Sequence, residues 1–301
     1  MIDKIPLQDE VLESLFQRIM RNFPQNVPAI DNFIKLTVRA GKKEKAKDLI
    51  ISLINSQNYR MGLDSFNKHK EIFVQHNCDE IGKAIISKYQ TLPFENWEAF
   101  LNVLTEPEIN YSNTHIDDLG ENLLEHIKND NINIRNFGRK YYLSIKDQIS
   151  DRKAKFIGQQ LVAKLNSSQS SLSENASPIF DILIEEQERL ERYTIEDLID
   201  ILLGLLHESK PLAVRNMAIR YFESLRRLYR RSSQVLDQLL VLSRRANPGE
   251  RENIVKALIS FNKFKGRKSF WKEARVHLKE LNNSENKNDK SIGEWALGEL
   301  K

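Results

Sequence analysis

The chain contains an internal duplication, and this feature constrains its fold more than any other. Residues 134–145 (IRNFGRKYYLSI) align with residues 214–225 (VRNMAIRYFESL), and four of the twelve positions are identical. The alignment extends on both sides, so that residues 116–165 match residues 195–245 at an offset of 79 or 80. Such a repeat predicts that one structural unit is stacked on copies of itself, because a single short unit cannot cover its own apolar face.

The repeated units have the apolar periodicity of helices. Apolar residues recur three or four positions apart, as in Leu12, Leu15, Phe16 and Ile19, and no stretch shows the sustained alternation of a strand. The chain has only 11 Gly and 8 Pro among 301 residues, fewer than strand folds with many tight turns usually carry. The sequence therefore predicts an all-α fold.

Two segments resemble repeats of the HEAT and armadillo type. In residues 198–225 an aliphatic helix is followed by a short polar turn with a proline and by a second helix that carries the small residue Ala218. Residues 130–145 show the same turn and second helix, with Gly138 at the matching position, and residues 251–261 are a fainter copy. The resemblance implies an α-solenoid of stacked antiparallel helical hairpins, which is an architecture and not an activity.

The match to the repeat pattern divides the chain into three parts. We expect residues 1–110 to form an N-terminal helical region of divergent repeats or a cap, and residues 111–281 to form the HEAT-like region. Residues 282–301 read as a polar tail with a short terminal helix. Terminal hairpins of such arrays are atypical because one of their faces has no neighbouring copy to cover it.

Two matched arginines, Arg135 and Arg215, open the second helix of the two copies. The resemblance implies a structural role for them, because an arginine at this point in HEAT-like repeats commonly braces the turn between hairpins. It does so by binding acidic side chains or carbonyl groups. We therefore favour this role over contact with a ligand.

The C-terminal half of the chain is strongly basic. The net charge is +4, but residues 215–279 contain 17 Lys and Arg and 5 Asp and Glu, an excess of 12 positive charges. On a helical wheel, five arginines share one face of the helix after Pro211, while Val214, Ala218 and Tyr221 lie on the opposite face. The basic face and the clusters that follow it comprise Arg220, Arg226, Arg227, Arg230, Arg231, Arg244, Arg245, Lys263, Lys265, Arg267, Lys268, Lys272 and Arg275.

These residues predict an anionic partner. In a solenoid the equivalent faces of successive hairpins line up, so the clusters can merge into one basic stripe. Arginine binds phosphate and carboxylate oxygens in pairs, which suits nucleic acid or an acidic protein surface. Phe270 and Trp271 lie among the cations and suit base stacking, with a place for Trp271 in the core as the preferred alternative.

No motif for catalysis or cofactor binding is present in the sequence. Walker phosphate loops, dinucleotide-binding glycines, nucleophile elbows, kinase signatures and the His-Glu-x-x-His zinc motif are all absent. We expect no catalytic residue, metal, cofactor or small-molecule substrate. The single cysteine, Cys78, and the lack of a secretory signal or long apolar segment predict a cytoplasmic protein, or a nuclear one in a eukaryote, with no membrane partner.

Three functions follow from these observations. The first is a non-enzymatic scaffold whose basic half binds nucleic acid or an acidic protein. The second is an enzyme, because bacterial alkylpurine DNA glycosylases of the HEAT-like kind resemble this chain in size, helical make-up and basic surface. That resemblance implies action on alkylated bases, although no residue here matches their catalytic positions. The third is a regulatory or adaptor subunit of a larger complex.

Overall fold

The computed structural model describes residues 8–22, 25–73, 78–106, 108–109, 111–168, 172–207, 209–225, 232–260 and 268–300. Over these ranges the chain forms sixteen α-helices and no β-strand. The all-α fold class predicted from the sequence is therefore confirmed. Among the described helices, none is both long and apolar enough to cross a membrane.

The chain divides into two compact units, and the first comprises Met1–Leu123 and Lys140–Ser150. Within it, α3 packs against α2, α4 and α5, and α4 also packs against α2 and α6. The helices of this unit are α1 (Asp9–Asn22), α2 (Val27–Arg39), α3 (Lys43–Asn55), α4 (Tyr59–Phe73), α5 (Asp79–Tyr89), α6 (Trp97–Leu104) and parts of α7 (Asn113–Ile127) and α8 (Ile132–Ile145).

The second unit comprises Leu124–Arg139 and Asp151–Lys301. Its helix α12 packs against α10, α11 and α14, while α16 packs against α14 and α15. In addition to the remaining parts of α7 and α8, it contains α9 (Asp151–Ser167), α10 (Ser177–Glu185), α11 (Arg192–Leu205), α12 (Leu212–Ser224), α13 (Ser232–Arg245), α14 (Pro248–Ser260), α15 (Lys268–Asn282) and α16 (Lys287–Glu299).

In each unit a helix contacts both its neighbour in sequence and the helix after that. Short connections make consecutive helices antiparallel, so contacts of this kind arise when hairpins stack in two layers. This packing is compatible with the predicted α-solenoid. The predicted boundary at residue 110 separates divergent repeats or a cap from the repeats that match the HEAT-like pattern, and it stays a prediction.

An aspartate–serine contact recurs at two places in the first unit. Asp79 accepts hydrogen bonds from the backbone N–H and the hydroxyl of Ser112, the residue just before α7. Asp117 binds Ser150, just before α9, in the same way, with both of its oxygens and across the same 33 residues. Each carboxylate thus holds the backbone at the residue before a helix, where N–H groups lack partners within the helix.

The duplicated tyrosines, Tyr141 and Tyr221, make the same kind of contact in their two copies. The Tyr141 hydroxyl donates to Asn102 Oδ1 at 2.7 Å, and the Tyr221 hydroxyl lies 2.7 Å from Asp181 Oδ1. Each bond connects the second helix of one hairpin to the second helix of the preceding hairpin. The sequence identity at this position therefore corresponds to a shared brace between repeats.

The helix near the end of the chain is α16, which begins at Lys287 and occupies most of the stretch 282–301 that has the composition of a polar tail. The Asn286 side chain caps it by accepting hydrogen bonds from the N–H groups of Asn288 and Asp289 at 2.9 and 3.2 Å. Ile292 and Ala296 are buried against the neighbouring helices. The cap and the two apolar residues explain why a stretch of polar composition is helical.

Candidate binding groove beside helix α12

Helix α12 carries the first of the predicted basic residues, Arg220, on its exposed side. The helix ends before Leu225, whose backbone is extended with a ψ of 120°. The helical wheel that placed five arginines on one face assumed a helix continuing past Leu225, and this continuity is absent. The other four, which lie outside the described residues, are Arg226, Arg227, Arg230 and Arg231.

A groove with a volume of about 580 Å³ runs beside α12. One wall is α12 itself, from Leu212 to Glu223, and the other walls are Glu174 and, from α14, Asn253 and Lys256. Leu212 leaves 41% of its surface exposed at one end of the groove. The groove therefore offers an apolar end together with side chains of both charges.

Arg220 is held at this groove by an aromatic ring. Its guanidinium carbon lies 5.4 Å from the ring centroid of Tyr221, and no acidic side chain in the described ranges pairs with it. Burial, together with the hydrogen bond to Asp181, raises the pKa of Tyr221 to about 12, so the ring stays neutral at physiological pH. A cation–π contact does not neutralise the guanidinium charge, so Arg220 can still bind an anion in the groove.

Two further charges, Lys256 and Glu223, face the same groove. Lys256 Nζ lies 2.6 Å from Glu252 Oε1 one helical turn away, in a pair exposed on both sides. Exposed pairs of this kind are weak and exchange partners readily. Desolvation by the surrounding protein raises the pKa of Glu223, while the charge of Lys256 acts in the opposite direction. Lys256 can thus turn toward a ligand that supplies a better-placed carboxylate.

The remaining predicted basic residues lie on α13 and α15 or outside the described ranges. Arg244 Nη1 pairs with Glu273 at 2.9 Å, and Arg275 donates to the carbonyl oxygen of Leu300. Arg245 and Lys272 are exposed. The rest are Lys268, which begins α15 but whose side chain is not described, and Lys263, Lys265 and Arg267, which lie outside. Their merging into one stripe stays a prediction.

Phe270 and Trp271 are not placed for base stacking. Only 5% and 9% of their surfaces are exposed, and their rings meet edge to face with centroids 5.1 Å apart. To stack on a base, either ring would have to leave the core. The alternative, that Trp271 belongs to the core, is what the structure shows.

The repeat arginines Arg135 and Arg215 both contact turns or the neighbouring hairpin. Arg135 donates from Nε and Nη2 to the carbonyl oxygen of Asn129 and from Nη1 to that of Asn175. Arg215 Nη2 lies 3.4 Å from Glu250 Oε2. In the fainter copy, Arg251 likewise donates to two backbone carbonyls and pairs with a carboxylate. These guanidinium groups are engaged within the fold.

A buried contact between Ser243 and His277 was not predicted from the sequence. Ser243 Oγ lies 2.8 Å from His277 Nε2, and Glu280 Oε2 lies 3.7 Å from the other ring nitrogen. This order resembles a catalytic triad, but Ser243 is 0% and His277 4% exposed. Because a nucleophile must reach its substrate, the contact holds α13 against α15 and performs no chemistry in this conformation.

The first unit has a smaller cleft of about 300 Å³ between α5 and α7, with His115 among its lining residues. Burial lowers the pKa of His115, and within the described ranges neither ring nitrogen has a hydrogen-bond partner. The Tyr111 hydroxyl beside it is buried and unpartnered as well. These nitrogens are shielded from the cleft, so they offer nothing to a ligand there. No group of three or more His, Cys, Asp or Glu side chains in the described ranges could hold a metal ion.

Most groove residues were not among those predicted. Arg220 was, but Leu212, Glu223 and Lys256 were not. Leu212 carried a usable signal, since it is an apolar residue directly after Pro211 and lies outside the apolar face of the wheel. Lys256 belonged to the basic segment but not to a cluster, and only the packing of α14 beside α12 brings it to the groove.

Comparisons with known proteins leave the groove without a counterpart. No protein-family model and no curated protein matches the chain. One similar solved structure is the crystal structure of an engineered protein, 14% identical, over 96% of this chain and 78% of that chain, with a TM-score of 0.42. A likeness at that level carries no argument about fold or function.

Proposed function

We propose that the chain is a non-enzymatic helical-repeat protein whose basic C-terminal half binds an acidic protein partner. The observation that carries this proposal is the unbalanced charge of residues 215–279. Three of the five acidic residues in the segment already pair within it: Glu250 with Arg215, Glu252 with Lys256 and Glu273 with Arg244. The acidic residues of the segment are therefore too few to balance its cations, and the excess positive charge attracts an acidic partner.

The groove favours protein over nucleic acid as the partner. The exposed Leu212 offers an apolar contact that phosphates and sugars do not use, whereas Glu174 and Glu223 disfavour any anionic group placed beside them. A protein segment can supply apolar and acidic side chains together. Because Phe270 and Trp271 lie in the core, these two rings contribute no base stacking to binding.

Nucleic acid is the second candidate, favoured by the number of arginines in the basic segment. Each phosphate neutralised by Lys or Arg releases counterions, which gives affinity without base contacts. A scaffold of this kind also fits a regulatory or adaptor subunit, since its activity then appears only with a partner.

We place the protein in the cytoplasm, or in the nucleus of a eukaryote. Its single cysteine, Cys78, is buried and donates to the carbonyl oxygen of Phe73. Burial raises the pKa of the Cys78 thiol to about 11, so the thiolate is scarce at neutral pH. A lone protonated thiol of this kind suits a reducing compartment.

Fluorescence anisotropy tests the proposal with three labelled ligands: a glutamate-rich peptide, duplex DNA and single-stranded RNA, each from low to physiological salt. We expect the peptide to bind with a Kd on the order of micromolar and to weaken as salt rises. A variant with four charge reversals should lose this binding: Arg226→Glu, Arg227→Glu, Arg230→Glu and Arg231→Glu.

A matched control separates local charge from net charge. It carries four reversals at exposed positions of the first unit: Arg18→Glu, Arg21→Glu, Lys35→Glu and Arg39→Glu. The control should bind the peptide nearly as well as the unchanged chain. Equal losses in both variants would mean that only net charge matters, and clear preference for DNA or RNA would replace the proposal by the second candidate.

A further inference from the structure

The repeat arginines differ in how their charge is balanced, and the difference singles out Arg135. Its counterpart Arg215 lies 3.4 Å from Glu250 of the following hairpin. In the fainter copy, Arg251 pairs with the buried carboxylate of Asp289, which again belongs to the following hairpin. The guanidinium of Arg135 makes its three hydrogen bonds to backbone carbonyl oxygens instead. Within the described ranges no acidic side chain forms a salt bridge with it.

The charge of Arg135 is therefore buried without a counter-charge beside it. A guanidinium stays protonated in proteins, so hydrogen bonds to the carbonyl groups of Asn129 and Asn175 hold the side chain in place without neutralising it. Arg135 is only 8% exposed, and a buried charge without an opposite charge is costly. Glu174, next to Asn175 in the sequence, lines the groove beside α12 instead. An anion that reaches Arg135 is thus favoured.

Arg135 lines a polar pocket of the second unit that holds more positive than negative charge. Among the described residues around this pocket, Lys164 of α9 is the other cation and Asp130 is the acid. Lys164 Nζ lies 3.1 Å from Asp130 Oδ1, but the Asp130 side chain is 93% exposed, so water screens the pair and leaves it weak. Ser168 and Ser173 also line the pocket. Two cations with hydroxyl groups nearby suit the oxygens of a phosphate.

We infer that the pocket lined by Arg135, Lys164 and Ser173 binds a phosphate group, with Arg135 and Lys164 as the cations that hold it. The phosphate supplies the negative charge that Glu250 and Asp289 supply to the other two repeat arginines. A phosphate monoester carries about −1.5 to −2 charges at neutral pH, which matches two cations better than one carboxylate does. The hydrogen bonds of Arg135 to carbonyl groups remain in place, so its structural role and its contact with the anion are compatible.

Two sources can supply this phosphate. One is a small phosphate-bearing ligand from solution. The other is the chain itself, phosphorylated at a serine of the pocket, Ser168 or Ser173. Either source brings the same chemistry to Arg135, and the two are distinguished by experiment.

Isothermal titration calorimetry with inorganic phosphate, at fixed ionic strength, tests the site in the unmodified chain. We expect a Kd on the order of millimolar or tighter. Lys164→Gln removes one cation, keeps the hydrogen bonds of Arg135 and should weaken binding about tenfold. Asp130→Asn removes the acid and should tighten binding about two- to fivefold. The matched control is Lys155→Gln, also on α9, whose partner Glu191 lies 3.0 Å away and outside the pocket, and it should leave the affinity unchanged.

Phosphoserine introduced at Ser168 or at Ser173 tests the second source by ³¹P NMR. A serine phosphate held by two cations should titrate below its usual second pKa, because the cations stabilise the dianion. Lys164→Gln should raise that pKa again, and the modified chain should no longer bind inorganic phosphate. If both phosphoserines titrate normally while inorganic phosphate still binds the unmodified chain, the phosphate comes from a ligand in solution.

Two results would overturn the inference. One is an unmodified chain that binds no inorganic phosphate, together with phosphoserines at both positions that titrate normally. The other is equal weakening by Lys164→Gln and Lys155→Gln, which would mean that phosphate responds to net charge alone. Circular dichroism confirms that the variants remain folded. Lys164→Gln should leave binding of the glutamate-rich peptide unchanged, so this inference and the proposed function fail separately.

Discussion

The glycines of α16 provide a quantitative test of how tightly the last hairpin packs. A Cβ atom added at Gly293 would lie 2.5 Å from the backbone nitrogen of Asn282 and 2.9 Å from the carbonyl oxygen of Leu278, both in α15. Helix backbone cannot move aside as a flexible side chain can. At Gly298, on the same helix, a Cβ would meet nothing within 4 Å.

The two contributions to Gly293→Ala have opposite signs. Replacing a helical glycine with alanine gains about 0.5–1 kcal/mol, while overpacking costs about 1–3 kcal/mol. We expect a net loss of about 1–2 kcal/mol in the free energy of opening α16. Gly298→Ala keeps only the gain and should stabilise the helix by up to about 0.5–1 kcal/mol, less near its frayed end.

Hydrogen exchange read by mass spectrometry on peptides covering α15 and α16 measures this directly. Gly293→Ala should exchange about 5–30 times faster than the unchanged chain, and Gly298→Ala should exchange no faster. A Gly293→Ala variant with unchanged or slower exchange would refute the argument, because it would mean that α15 and α16 are further apart than their backbone contacts indicate.

Three further perturbations test the packing of the second unit. Burial lowers the pKa of His126 to about 4, so the unfolded chain binds a proton at higher pH than the folded chain does. The free energy of unfolding should therefore fall as pH drops from about 6.5 to about 4, and His126→Gln should flatten that fall in urea titrations. Arg251→Met leaves the buried carboxylate of Asp289 unpaired and should lower the free energy of unfolding by about 3–5 kcal/mol. Adding Asp289→Asn should recover part of that loss, whereas a single variant as stable as the parent would show that the pair is solvated. Tyr221→Phe removes the hydroxyl bonded to Asp181 and should lower unfolding free energy by about 1 kcal/mol, whereas no change would mean that this brace is not formed in solution.

The sequence predicts the repeat and the fold class because both depend on local, periodic information. The match between Tyr141 and Tyr221 was visible as an identity, and the shared brace explains it. Gly138 stood at the position of Ala218 as a small residue, and an added Cβ there would lie 2.9 Å from the backbone nitrogen of Ile127. Two helices can approach closely only where the residue at the contact is small, so a contact of this kind can be predicted from the sequence.

The groove could not be predicted in the same way. A helical wheel assumes that the helix continues, but the backbone of Leu225 is extended although no Gly or Pro lies close to it in the sequence. Charged residues surround Phe270 and Trp271 in sequence and suit base stacking, although the core was the preferred place for Trp271. The face of α15 that packs inward decides the burial of both rings. Lys256 reaches Arg220's groove only because α14 packs beside α12.

The central claim is that the basic C-terminal half, and not the first unit, binds an acidic protein segment. Hydrogen exchange of the full chain with and without saturating glutamate-rich peptide tests it most directly. The account predicts that the bound ligand slows hydrogen exchange in segments covering α12 and α14. Exchange in segments covering α1 to α5 should stay unchanged. Protection confined to the first unit, or no protection anywhere at saturation, would contradict it.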